Sequence, residues 1–100
     1  GEVAGAEAGA HLMLGTILWK NRAKRDAGES WEMAKSLLAE YGDKGLSEVQ
    51  RNLLRMGVIW TAETMDAEGM RSDAIEWLNL TADYFESDKE FSAVMRSIGE

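Results

Sequence analysis

Not one of the 100 residues is proline. Such a chain has no forced helix break and no rigid extended linker. Its punctuation falls instead to ten glycines. Between them stand mostly good helix formers, with apolar residues recurring at three- and four-residue steps. No alternating segment long enough for a sheet occurs. The expectation is an all-α fold of about five helices: two antiparallel helical hairpins plus a short C-terminal helix, forming a single helical domain over 1–100. With 45% hydrophobic and 29% charged residues, the chain belongs with globular sequences, not disordered ones.

The spacing predicts a first helix over 6–25 whose apolar stripe is Ala10, Leu14, Ile17 and Leu18, with Met13 beside it. Lys20, Arg22, Lys24 and Arg25 crowd its end, where cations oppose the negative end of the helix dipole. The same cluster is also a candidate basic contact patch. Gly28 marks a turn. A second helix follows to about Tyr41, carrying Trp31, Ala34, Leu38 and Tyr41 on one side, and ends at Gly42-Asp43-Lys44-Gly45. Ser47-Glu48-Val49-Gln50 reads as a capping box. Behind it Val49, Leu53, Met56 and Trp60 form the expected face of a third helix, widened by Leu54 and Ile59 and ending near Gly69. Gly57, inside that helix, is suited to close approach by a neighbour. Ser72 is the expected cap of a fourth helix with Ala74, Ile75, Leu78, Ala82 and Phe85 on its apolar side. Ser87-Asp88-Lys89-Glu90 reads as a second capping box, opening a short helix with Phe91, Val94, Met95 and Ile98.

The two hairpins share a register. Leu14-Gly15 is followed by Leu18, Ala27, Trp31 and Ala34, an order of small and large residues that resembles the tetratricopeptide pattern. Arg22 stands where that pattern has its turn glycine, and Ala39 where it has its closing proline. The second hairpin reads Thr61-Ala62, Met65, Gly69, Ala74, Leu78 and Thr81. Its run from Glu68 to Trp77 is also similar to the Sel1-type repeat, which carries a tryptophan on its second helix. The units are offset by 47 residues, from Ala27 to Ala74, where tetratricopeptide repeats prefer about 34. The resemblance implies stacked hairpins with a concave surface for peptides or partner helices. It also implies a fragment, an oligomer, or a chaperone-like protein completed by its partner.

Chemistry-bearing motifs are sparse. With no cysteine, thiolate catalysis, disulfides and cysteine metal sites are excluded. His11 is the one histidine. Glu7, one turn earlier, gives it a single acidic neighbour, short of the four ligands of structural zinc. There is no Glu-x-x-His pair and no phosphate loop. The segment from Asp66 fails as a calcium loop at Arg71 and Trp77. Glu63, Asp66 and Glu68, and then Asp83, Glu86, Asp88 and Glu90, read as solvated or capping acids. No catalytic residue, cofactor or metal is expected, and the chain is not expected to be an enzyme.

Four tryptophans in a chain this short are many. Trp19 lies off the expected stripe beside Lys20, and Trp77 lies next to the stripe of its own helix. Aromatics anchor interfaces, so Trp19 and Trp77, with Lys20 and Arg22, are the candidate partner-binding residues. A net charge of -7 disfavours nucleic acid and anionic membranes and favours a basic partner surface. The function expected is a protein-interaction module, adaptor or chaperone-like, that binds a helical or basic segment of another protein, self-association as a dimer included. The alternatives are a small acidic inhibitor of a nucleic-acid-binding enzyme and a helical domain with a small-ligand cavity. No stretch reaches the length of a membrane span. The segment from Gly1 to Glu7 lacks the basic run of a signal peptide. The expected location is cytoplasmic.

Overall fold

The computed structural model describes residues 4–99; Gly1 to Val3, the start of the segment read above for a signal peptide, lie outside them. The described residues form five α-helices and no strand: α1 (Ala4–Lys20), α2 (Lys24–Tyr41), α3 (Glu48–Ala67), α4 (Arg71–Thr81) and α5 (Lys89–Gly99), with one 3-10 turn (Ala82–Phe85) between the last two. Two antiparallel hairpins, α1/α2 and α3/α4, pack through α1 against α3. The C-terminal α5 closes the far end against α3 and α4. This is the expected all-α arrangement. No helix among the described residues is long and apolar enough to cross a membrane.

The α1/α3 contact is built on missing side chains. A Cβ on Gly57 would stand 2.9 Å from the Gly9 carbonyl oxygen, and one on Gly9 would stand 3.1 Å from the Leu54 Cα. The backbones therefore meet directly, as Gly57 suggested. Alongside, the Thr61 hydroxyl donates to the Leu12 carbonyl at 3.3 Å and receives the Thr16 hydroxyl at 3.1 Å. Buried hydroxyls left unpaired would be costly; here each satisfies the other. Within the first hairpin, Gly15 receives the Trp31 ring, which a Cβ would strike at 2.5 Å.

This close approach rotates two helices away from their expected faces. In α1 the buried residues are Ala8, Leu12 and Thr16, whereas Leu14 and Ile17 are about half exposed and Ala10 is exposed too. In α3 the core takes Leu54 and Ile59, as expected, with Val58, Thr61, Ala62 and Met65, leaving Val49 79% and Met56 48% exposed. Small residues that admit a neighbour decide the buried side in both cases, against the larger side chains a hydrophobic stripe would choose.

The first hairpin turn corrects two more boundaries, the end of α1 and the start of α2. The first turn lies at Asn21–Ala23, not at Gly28, which is inside α2. Arg22 takes the left-handed conformation (φ 66°), as Gly69 does in the second turn (φ 80°). Ala23 N–H then reaches the Leu18 carbonyl and Met70 N–H the Met65 carbonyl, at 2.9 and 2.7 Å. Each pair is separated by the same 47 residues as Ala27 and Ala74. The two turns are thus one design, with arginine in the first where glycine stands in the second.

Caps follow local chemistry. Ser47 and Gln50 form the reciprocal box as expected. At α5, however, Asp88 is the cap, accepting Phe91 N–H at 2.8 Å, so the expected box at Ser87 is displaced by one residue. The α4 cap position is Met70, not Ser72. Arginines then fix α5. Arg55 pairs with Asp88 at 3.4 Å and Glu90 at 2.8 Å, and Arg71 donates to the Ile98 carbonyl at 2.7 Å.

Candidate functional site

Turning the core toward Gly15 places Trp31 between α1 and the second hairpin, and the surface over it is concave. A groove of about 800 Å³ runs between the end of α1, α2 and α4. Its apolar floor is Trp31, Trp77, Met65 and Met70, with Trp19 at one end and Met33 on the lip. Trp31 and Trp77 are buried, whereas Met33 is 52% exposed. Trp19 and Trp31 stack at 5.4 Å between ring centroids. The Trp31 Nε1, against Gly15, has no hydrogen-bond partner among the described residues.

Charged side chains rim the groove. Lys35 on α2 donates to Glu76 on α4 at 2.6 Å and lies 5.6 Å above the Trp77 ring. The Glu76 hydrogen bond holds the Lys35 ammonium above the usual lysine range, overcoming the opposing effect of burial; Glu32 and Asp73 add to it. Arg25 pairs with Glu29 at 3.7 Å. With both cations so engaged, Glu32 and Asp73 are rim carboxylates without an ion pair among the described residues. The rim is net acidic.

The structure brings Trp19 and Trp77 to this one groove, while Lys20 and Arg22 stand outside it. Neither indole is a free anchor. Trp77 is only 3% exposed, which corrects the expectation of an exposed contact. Trp19 is half-buried, its Nε1 donates to Glu68 at 3.0 Å, and Lys24 lies 5.0 Å over its ring. Lys20 instead covers Trp60 at 5.2 Å, and Arg22 is exposed on the turn between α1 and α2. The residues that sequence spacing did not single out are Met33, Met70, Glu32, Lys35, Asp73 and Glu76. The groove forms between two helices distant in sequence, and only the shared 47-residue register hinted that α2 and α4 lie side by side.

Elsewhere the acids serve the fold or face solvent. Glu63 and Asp66 are exposed, and Glu90 is taken by Arg55. Among the described residues no three His, Asp or Glu side chains gather as a metal would need. Glu7 is exposed and His11 half-buried, one turn apart on α1. No family model matches the chain, and no curated protein or solved structure matches it.

Proposed function

We propose that this chain is a protein-interaction module whose α2/α4 groove takes a basic, amphipathic helix from a partner protein. The single observation that carries this reading is the pairing of an apolar tryptophan and methionine floor with a net acidic rim. A helix lays its apolar face in such a groove, and its flanking lysines or arginines meet the rim. Methionine suits that task because its unbranched thioether adapts to the side chain it meets. The overall charge of -7 would speed encounter with a basic segment. The matched turns at Arg22 and Gly69 support a finer reading as two irregular helical-hairpin repeats of the tetratricopeptide or Sel1 kind, an architecture suited to peptide binding.

The test is calorimetric titration of the whole chain with a synthetic leucine–lysine amphipathic helix. Controls are a scrambled peptide of the same composition and a leucine–glutamate counterpart. Binding of the first alone, weakened at least about tenfold by Met33→Lys, is the expected outcome. Equal binding of the scrambled peptide, or no effect of Met33→Lys, overturns the groove as the site.

A further inference from the structure

The first helix is apolar nearly all the way round. Between Ala4 and Lys20 its only formal charges are Glu7 and Lys20. A helix of that kind belongs between neighbours on every side. Yet among the described residues the helices packed on α1 are α2 and α3, and its remaining side holds Glu7, Ala10, Leu14, Ile17 and, past the helix end, Asn21, all exposed.

The internal register marks this as a packing face. Advanced by the 47-residue offset of the two turns, Glu7, Ala10, His11, Leu14 and Ile17 fall on Leu54, Gly57, Val58, Thr61 and Thr64. All five of the latter are buried. Leu54, Gly57 and Thr61 meet α1 directly, through Gly9 and Leu12. The positions by which α3 sits on α1 are, in α1 itself, the positions left bare.

We infer that this bare face of α1 pairs with the same face of a second copy, antiparallel about a twofold axis. The five exposed positions step by three, four, three and four residues, the spacing of a two-helix seam. Ala10 is small where Leu14 and Ile17 are large, so one copy can offer room for the other. Charge decides the orientation. Glu7 lies in the first turn, whereas Lys20 and Lys24 lie at and beyond the last. Antiparallel pairing sets Leu14 and Ile17 of each copy about the axis and brings Glu7 of one toward the basic end of the other. It also sets the helix dipoles head to tail. Parallel pairing would stack like charges. Such an interface is self-complementary, as a closed dimer requires. It leaves the α2/α4 groove open, so it stands independently of the proposed function.

Sedimentation equilibrium on the whole chain tests this. The dimer should dissociate at least about tenfold more readily in Leu14→Glu, while Met33→Glu leaves the equilibrium unchanged. Circular dichroism confirms that each variant is helical. Because the chain has no cysteine, Ile17→Cys supplies a second measurement that needs no destabilising change. It should form an interchain disulfide on mild oxidation, and Ala39→Cys, on the exposed side of α2, should not. A wild-type chain monomeric to about 0.5 mM, a dimer undiminished in Leu14→Glu, or equal cross-linking at Ala39→Cys overturns the inference.

Discussion

At Gly57 the stability of the whole α1/α3 contact depends on one absent methyl group. Alanine is the better helix former by about 1 kcal/mol, so an exposed helical glycine would gain from the exchange. Here the new Cβ meets a backbone oxygen at 2.9 Å, which cannot rotate aside. Gly57→Ala should therefore lower stability by about 1–3 kcal/mol, measured by urea unfolding. Arg22 makes the opposite case. A side chain in the left-handed region costs about 1–2 kcal/mol, partly offset by the greater unfolded-state freedom of glycine. Arg22→Gly should raise stability by roughly 0.5–1 kcal/mol in the same assay, and a loss would show that the arginine side chain contributes more than its backbone costs. Gly57 shows what sequence can reveal: a glycine inside a strong helix pattern signals close approach. What spacing could not reveal was that Gly9 lies opposite, and so which side of each helix turns inward. Leu14, Ile17, Val49 and Met56 form good stripes by period yet face solvent.

At the scale of elements, the helices were legible because each is long and well patterned, and the boundaries less so. The sequence pattern carries the first helix on to Arg25 because Lys20, Arg22, Lys24 and Arg25 include no breaker. Its end is set by the bond from Ala23 to Leu18, which a composition rule cannot see. The caps can be separated by mutation. Asp88 accepts Phe91 N–H and also pairs with Arg55, so Asp88→Ala should cost about 1–2 kcal/mol. Ser87→Ala, one residue away, should cost almost nothing. Chemical denaturation of both variants decides between the two capping assignments. The same register accounts for the groove. Trp77 was legible as a residue beside its helix stripe, but the groove it floors forms where α2 faces α4 across the Lys35–Glu76 pair.

At the scale of the molecule, charge governs how stability responds to pH. Lys35 holds its proton more tightly in the fold because of Glu76, and burial with nearby Asp43 and Asp83 does the same for Tyr84. Both folded values are raised, so their stabilising effect is complete below the unfolded values, about pH 10, and is lost as pH rises through the folded ones. Thermal melts should show stability falling from about pH 10 upward. Glu76→Gln should reduce the Lys35 share of that fall, at a cost near neutral pH of no more than about 1 kcal/mol, because the pair is partly exposed.

The central claim is that the α2/α4 groove receives a basic amphipathic helix. The most direct measurement is a nitrogen-15 nuclear magnetic resonance titration of the chain with the leucine–lysine peptide. The account predicts saturable shifts confined to the groove: the indole resonances of Trp19, Trp31 and Trp77 and the backbone amides of Met33, Lys35, Met70 and Glu76. Shifts spread over all acidic surfaces without saturation, or centred on α1 or α5 instead, would contradict it.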